Sequence, residues 1–86
     1  MLTRGLNITI QFFSYFRELT GIERVERTVP AGLRLGELHD QLCAEHPALR
    51  EMSRSTLLAV GVEYQPREYQ LRDGDSVALF PPVQGG

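Results

Sequence analysis

One amphipathic helical pattern lies between two groups of strand patterns, and this arrangement limits the possible folds more than any other feature. Leu35, Leu38 and Leu42 recur at helical spacing, and the helix they predict runs to about His46 because Pro47 follows. Segments with strand character occupy residues 7–13, 23–29, 57–62, 66–69 and 76–80. A sheet has to bury its apolar face, and the single long helix is the element available to cover it.

The predicted order of elements is β-β-α-β-β-β, with a short helical turn between the first two strands. Residues 23–29 are rich in charge, which is typical of an edge strand, and the first and last strands can then pair in the centre. We therefore predict an α+β fold of the β-grasp, or ubiquitin-like, type, in which a mixed sheet of four to five strands is covered by one main helix. A split β-α-β fold would need a second long helix, which the sequence does not contain.

Side-chain alternation predicts an aromatic surface at one end of this sheet. Alternation puts Phe12 on the core face and Phe13 on the opposite face, and by the same rule Leu79 points inward and Phe80 outward. If the first and last strands are parallel neighbours, both outward rings lie at the same end of the sheet. Tyr64, at the end of the third strand, extends this surface, which predicts a partner docking patch. The alternative is a group of ordinary half-buried aromatic side chains.

The sequence ends in two glycines, Gly85 and Gly86, which carry no side chains and leave the backbone thin and flexible. Such a segment can thread into a narrow pocket of another protein and present its carboxylate there. Pro81 and Pro82 have a fixed φ and no N–H donor, which favours an extended spacer. We predict a β-grasp domain over residues 1–80 and a working tail over residues 81–86; the alternative is a frayed terminus.

The composition excludes several classes of function. The net charge of the 86 residues is −2, and all nine basic residues are arginines, so the chain has neither a lysine-rich run nor a basic stripe for nucleic acid. Without lysine, the chain offers no side-chain amine as acceptor for an isopeptide bond. No signal peptide or membrane-spanning stretch is evident, and we expect a soluble cytoplasmic domain.

Few other residues suggest chemistry of their own. The single cysteine, Cys43, excludes a disulfide framework and a four-cysteine zinc or iron–sulfur site, and its place on the apolar stripe of the helix predicts core packing. His39 precedes it by one helical turn, but two ligands are too few for a structural zinc site. Asp73 and Asp75 flank a glycine and predict a tight turn. We expect neither a metal nor an independent active site.

Three sequence segments carry a family resemblance that covers residues 7–86. These are Arg17-Glu18-Leu19 after the first strand, the turn Leu71-Arg72-Asp73-Gly74-Asp75, and the ending Phe80-Pro81-Pro82-Val83-Gln84-Gly85-Gly86. With them the chain resembles the MoaD/ThiS sulfur-carrier family, and the proline pair brings it nearest to the MoaD branch. It departs from the family at Gln84, where a small residue is common, at Arg34, where a helix-capping Ser or Thr is expected, and at Gly61, where Asn is common.

The resemblance implies a division of labour between this chain and its partners. A MoeB-like E1 enzyme would use ATP to adenylate Gly86, and a sulfur donor protein would convert the adenylate to a thiocarboxylate. A MoaE-like large subunit, in a heterotetramer, would receive the tail and bind cyclic pyranopterin monophosphate, the sulfur acceptor in molybdenum cofactor biosynthesis. The chain itself would bind no cofactor. The residues that thread into the partner would be Pro81, Pro82, Val83, Gln84 and Gly85.

Other readings of the sequence remain open at this point. The same chemistry can serve thiamine synthesis, cysteine synthesis or a ubiquitin-like protein modifier. A domain of this kind can also act as a binding module without any acyl chemistry.

Overall fold

The computed structural model describes residues 5–82. Its elements follow one another as β1 (Gly5–Phe12), α1 (Tyr15–Thr20), β2 (Arg24–Pro30), α2 (Leu35–Glu45), a 3-10 helix (Pro47–Met52), β3 (Leu57–Val60), β4 (Glu63–Tyr64) and β5 (Ser76–Phe80). Within this part of the chain, no helix has the length and apolar character needed to cross a membrane.

The five strands form one mixed sheet in the order β2-β1-β5-β3-β4. The central strands β1 and β5 are parallel, with Ile10 opposite Val77 and Phe12 opposite Leu79. Antiparallel β2 and β3 flank this pair, so the predicted central pairing and the predicted edge position of the charged strand are both confirmed. Together with the single long helix, this arrangement is the predicted β-grasp fold.

A single hydrophobic core joins the helices to one face of the sheet. Full burial of one large aliphatic side chain contributes about 1.5–3 kcal/mol, so this cluster is the main source of stability. The alternation predicted for β1 and β5 is confirmed, since the inward residues are buried whereas Phe13 and Phe80 are only half-buried. The least exposed members of the core are Ile8, Ile10, Phe12, Phe16, Leu35, Leu38, Leu42, Leu49, Val77 and Leu79.

The first turn of α2 is stabilised by a distant segment as well as by the side chain of Glu37, whose Oε1 accepts a hydrogen bond from the N–H of Arg34 at 2.8 Å. Arg34 precedes the helix and carries only N–H donors, so its side chain cannot accept a bond from the first turn. Instead, the N–H of Leu35 donates to the carbonyl of Tyr69 at 2.8 Å, and the N–H of Gly36 donates to the carbonyl of Arg67 at 2.9 Å. These two bonds satisfy donors that the start of a helix leaves without intrahelical partners.

The fourth strand was predicted at the wrong place. It comprises Glu63–Tyr64 and pairs with β3 as a short hairpin. Gly61 has a φ of 65° and begins the turn, which is why β3 ends at Val60 and not at residue 62. Residues 66–69 do not form a strand, because they lie across the start of α2 and direct two carbonyls to it.

The predicted tight turn before β5 is confirmed, and it joins β5 to the start of β1. Gly74 has a φ of 86°, a conformation that glycine adopts without steric cost. The N–H of Asn7 donates to Oδ1 of Asp73 at 2.7 Å, and the N–H of Gly74 donates to the carbonyl of Asn7 at 2.7 Å. The hydroxyl of Tyr69 donates to Oδ2 of Asp75 at 3.0 Å. These bonds fix the register of the two central strands.

Candidate functional site

The central strand β5 ends at the point where the predicted tail begins. Phe80 is its last residue and lies opposite Leu57 of β3. Pro81 follows and has no N–H to donate, so the ladder cannot continue past it. Pro81 and Pro82 are half-buried and belong to no strand. The chain therefore leaves the sheet between its two neighbouring strands, at the end opposite Gly5.

Two phenylalanine rings stack beside this exit. The N–H of Phe13 donates to the carbonyl of Leu79 at 3.1 Å, which extends the parallel pairing one residue beyond β1. The rings of Phe13 and Phe80 consequently stack on each other on the face away from α2, with centroids 4.6 Å apart and an interplanar angle of 13°. Such a pair contributes about 0.5–1.5 kcal/mol beyond the area it buries.

Tyr64 completes an aromatic patch, which we define as Phe13, Tyr64 and Phe80. Its ring meets that of Phe80 edge-on, at a centroid distance of 6.4 Å and an angle of 79°. Tyr64 is 67% exposed. The structure thus brings together the three residues that the sequence predicted to be neighbours, although their part in docking stays a prediction.

Two alanines lie next to each other on the outer face of the sheet, beside the aromatic patch. The sequence analysis did not identify this pair as part of the candidate site. One row across the outer face runs from Gln11 through Ala78 and Ala59 to Tyr64. Ala78 and Ala59 are 7% and 6% exposed, because larger neighbours screen their short side chains. The sequence feature that could have identified this pair is a small residue at an outward-facing position in each of β3 and β5. Small side chains let another surface approach the sheet closely.

The opposite half of the outer face is polar. On β2, Arg24 lies opposite Gln11, and Glu26 lies opposite Thr9. The apolar area is therefore confined to the side formed by β5, β3 and β4, next to the chain exit. This asymmetry distinguishes the half of the outer face that carries the predicted docking patch from the half that does not.

Two exposed arginines lie at the end of the sheet that carries the aromatic patch. Arg17 follows β1 on α1, and its Nε lies 3.5 Å from the carbonyl oxygen of Phe12. Arg54 lies just before β3, whose first residue, Leu57, is opposite Phe80. Acidic residues lie at the same end, since Glu18 follows Arg17 and the carbonyl of Glu23 accepts from the N–H of Phe12 at 3.0 Å.

Cys43 and His39 are both buried and form part of the core side of α2. Burial, together with the negative charge of Asp40, raises the pKa of the Cys43 thiol, so this thiol stays protonated and is a poor nucleophile. Nε2 of His39 has no hydrogen-bond partner, and burial lowers the pKa of the ring. Across residues 5–82, no three His, Cys, Asp or Glu side chains are grouped so that they could hold a metal ion.

A groove of about 570 Å³ lies on the far side of the β4 edge and shares Tyr64 with the aromatic patch. His39 and Asp40 of α2 form one wall, and Arg67 forms part of another. Arg67 donates to Oδ2 of Asp40 at 2.9 Å across this groove.

The predicted reactive group and most of the predicted tail lie outside the described residues. These are Val83, Gln84, Gly85 and Gly86. Their proposed roles rest on the sequence and on the geometry of the chain up to Pro82.

Comparison with known proteins places this geometry in a family. Residues 10–86 match the ThiS family. The molybdopterin synthase sulfur carrier subunit of Escherichia coli is 37% identical, over 92% of this chain and 99% of that protein. The subunit of the same name from Mycobacterium tuberculosis is 34% identical, over 94% of this chain and 99% of that protein.

Solved structures agree with this assignment. The small archaeal modifier protein 1 of Haloferax volcanii superposes with a TM-score of 0.78 and 27% identity, over 92% of this chain and 100% of that one. The resemblance inferred from the three sequence segments is thereby confirmed. This chain belongs to the ThiS family.

Proposed function

We propose that the chain is the sulfur-carrier small subunit of a molybdopterin synthase. The observation that carries this proposal is the position of the aromatic patch, which lies beside the exit of a Pro-Pro spacer that leads to Gly-Gly. The predicted docking surface therefore lies next to the start of the predicted tail. The names of the relatives from Escherichia coli and Mycobacterium tuberculosis support the same function.

The proposed chemistry takes place at the carboxyl carbon of Gly86. A terminal carboxylate has a pKa near ~3.5 and is ionised at neutral pH, which makes it a poor electrophile. A MoeB-like enzyme would transfer AMP from ATP to this carboxylate and release pyrophosphate. Sulfide supplied by a donor protein would then attack the carbonyl carbon, so that a C–S bond forms, the C–O bond to AMP breaks and loss of a proton leaves a thiocarboxylate.

The thiocarboxylate would be consumed in a MoaE-like large subunit. That subunit would hold cyclic pyranopterin monophosphate and receive sulfur from two successive carrier chains. Cys43 would not serve as a nucleophile in these steps, since its thiol is buried and its pKa is raised. The carrier would act only as part of the complex, a heterotetramer of two carriers and two large subunits.

The composition of the tail suits delivery through a narrow passage. Gly85 and Gly86 have no Cβ, so only backbone has to fit beside the reacting atom. Pro81 and Pro82 favour an extended conformation that rises about 3.1 Å per residue, which moves the glycines away from the sheet. The aromatic patch would dock first on the activating enzyme and then on the large subunit, so the two complexes would exclude each other.

Intact-protein mass spectrometry tests the proposal. The purified chain is incubated with a MoeB-like enzyme, ATP and a sulfur source, and we expect its mass to rise by the exchange of one oxygen for sulfur. Deletion of Gly86 and the substitution Gly85→Val should abolish this gain, while the circular dichroism spectrum stays that of the wild type. Sulfur transfer by the chain that lacks Gly86 would contradict the proposal.

A second candidate function is attachment to other proteins as a ubiquitin-like modifier, which the likeness to the archaeal modifier protein favours. The two candidates differ in the final acceptor of the acyl group. Co-purification of a large subunit that binds the tail, with transfer of sulfur and release of the free carboxylate, supports the synthase. Recovery of Gly86 in an amide bond to a lysine of another protein supports the modifier.

A further inference from the structure

One residue beside the aromatic patch holds a backbone conformation that side chains rarely adopt. Ser14 has a φ of 53° and a ψ of −128°, and it is the one non-glycine residue with a positive φ within residues 5–82. Non-glycine residues with a positive φ mostly occupy the left-handed helical region, where ψ is about +30° to +60°. Because Ser14 lies outside that region, its backbone conformation carries a steric cost.

The turn that joins β1 to α1 imposes this conformation. The N–H of Phe16 donates to the carbonyl of Phe13 at 3.1 Å, which closes a four-residue turn with Ser14 at its second position. The angles of Ser14 are close to the values of about 60° and −120° at the second position of a type II′ turn, where glycine is preferred. Phe16 is fully buried in the core, whereas the ring of Phe13 lies on the outer face, so both ends of the turn are fixed. Glycine would supply the same backbone angles without the steric cost.

The side chain of Ser14 does not stabilise the helix that it precedes. Serine is common before a helix because its hydroxyl accepts a hydrogen bond from the first turn, but Ser14 forms no such capping bond with α1. The residue is exposed, so its hydroxyl is not required by the core either. Strained residues of this kind are characteristic of functional sites. The hydroxyl of Ser14 therefore suggests a role outside the fold of this chain.

Ser14 lies at the border of the aromatic patch. It directly follows Phe13, whose N–H donates to the carbonyl of Leu79 at 3.1 Å and whose ring stacks on that of Phe80 with centroids 4.6 Å apart. Protein interfaces combine an apolar centre with a polar rim that forms hydrogen bonds to the partner. A serine hydroxyl can donate one hydrogen bond and accept two. Ser14 therefore has the position and the chemistry of a rim contact.

We infer, on the basis of the proposed function, that Ser14 is a contact residue for the large subunit and that its hydroxyl forms a hydrogen bond to a polar group of that subunit. Glycine at position 14 should therefore stabilise the free chain and weaken the complex. A residue that served only the fold would not change stability and affinity in opposite directions.

Urea unfolding of the full chain measures the first effect. In Ser14→Gly the ratio of folded to unfolded chain should rise on the order of fivefold, because relief of the strained conformation outweighs the added freedom of the unfolded chain. Ser14→Ala keeps the Cβ and should be about as stable as the wild type. The matched control is Ser55→Gly, at an exposed serine whose φ is not positive. This control should be less stable than the wild type, since glycine there adds freedom to the unfolded chain and relieves no strain.

Isothermal titration calorimetry with a MoaE-like large subunit measures the second effect. Ser14→Gly and Ser14→Ala should each raise the Kd about fivefold, the loss expected for one hydrogen bond between neutral groups. Wild-type affinity in either variant would overturn the inference, and so would a Ser14→Gly chain that is no more stable than the wild type. Failure of the proposed function is a different result, in which the wild-type chain itself does not bind the large subunit, and it would remove the inference as well.

Discussion

The ring of Phe13 lies stacked on the ring of Phe80, with centroids 4.6 Å apart, although 66 residues separate the two along the chain. The contact depends on a parallel register in which Phe12 lies opposite Leu79. A slip of one residue would turn one of the two rings toward the core, since successive side chains point to opposite faces. The stack thus couples the register of the central strands to the surface beside the chain exit.

Replacement of Phe80 by alanine should weaken docking much more than it weakens the fold. The ring is half-buried and belongs to the outer face, so we expect a loss of about 1–2 kcal/mol in the free energy of unfolding, chiefly from the stack and partial burial. If Phe80 is an anchor of the interface, the Kd for the large subunit should rise at least about tenfold. Urea unfolding measures the first quantity and isothermal titration calorimetry the second.

Val62 offers a matched control for this experiment. It lies in the turn between β3 and β4 and is 100% exposed, so it is an accessible apolar side chain outside the aromatic patch. We expect Val62→Ala to leave both the Kd and the free energy of unfolding unchanged. Wild-type affinity in a folded Phe80→Ala chain would show that the patch is only a group of half-buried aromatic residues.

The parts of the fold that could be predicted from the sequence depend on local alternation. Phe12 faces the core and Phe13 faces outward because successive residues of a strand alternate between faces, which can be recognised from the sequence. The parallel pairing of β1 and β5 then places the rings of Phe13 and Phe80 together. Residues 66–69 could not be assigned in this way. Their backbone satisfies the start of α2, and the bond from Gly36 to Arg67 joins residues that are far apart in the sequence.

The pair of outward-facing alanines, Ala59 and Ala78, was not identified from the sequence for a related reason. Small residues are compatible with many environments, and only the pairing of Ala59 with Ala78 across β3 and β5 shows that they form one surface. The location of the chain exit was predicted from the proline pair, because Pro81 cannot donate to a ladder, together with the assumed parallel pairing of the first and last strands. What the sequence could not supply was the set of long-range backbone contacts.

Gly36→Ala should destabilise the protein, although alanine is the better helix former. A Cβ built at Gly36 would lie 2.7 Å from Cβ of Arg67, an atom close to the backbone that cannot move aside without shifting residue 67. Such a shift disturbs the bond from the N–H of Gly36 to the carbonyl of Arg67, at the start of the helix. We expect a loss of about 1–3 kcal/mol in the free energy of unfolding, typical of overpacking, measured by urea unfolding.

The reverse exchange at an exposed position of the same helix is the control. Ala44 is exposed, and Ala44→Gly should lower the free energy of unfolding by about 1 kcal/mol through helix propensity alone. This variant shows that alanine is more stabilising than glycine where no neighbouring residue interferes. In the double variant Gly36→Ala/Arg67→Gly, removal of the opposing Cβ should recover part of the loss relative to Arg67→Gly alone. A Gly36→Ala chain as stable as the wild type would refute the steric argument.

Glu45→Gln should produce a small, salt-dependent loss of stability. Arg27 donates to both carboxylate oxygens of Glu45, at 2.9 and 2.6 Å, and these hydrogen bonds lower the pKa of Glu45 despite partial burial. Both side chains are partly exposed, at 25% and 46%, so solvent screening limits the contribution to about 0.5 kcal/mol. Urea unfolding at low and at high ionic strength should show the difference shrinking with salt.

The pH dependence of this pair has a defined sign. Because the folded pKa of Glu45 lies below its ordinary value of 4.5, the stabilisation is present above about pH 4.5 and is lost as the pH falls through the folded pKa. The stability difference between the wild type and Glu45→Gln should therefore vanish in acid. A difference that persists there would assign the effect to packing of the side chain rather than to its charge.

His39 should make the protein less stable as the pH falls below neutrality. Its ring is 3% exposed, and its pKa is lowered first by burial and then by the charge of Arg67, against the opposing effect of Asp40. Because the folded pKa lies below the unfolded value of 6.5, the unfolded chain binds the proton first. The contribution of His39 is complete above pH 6.5 and declines below it, by at most about 1.4 kcal/mol for each unit of pH.

The variant His39→Leu isolates this effect because it cannot titrate and keeps an apolar side chain in the same site. Loss of the unpartnered Nε2 should leave stability at pH 7.5 nearly unchanged or slightly improved, since a buried polar atom without a partner is unfavourable. Between pH 6.5 and pH 5, the variant should become progressively more stable than the wild type in urea unfolding. Parallel pH profiles for the two proteins would mean that His39 takes up its proton equally easily in the folded and unfolded chains.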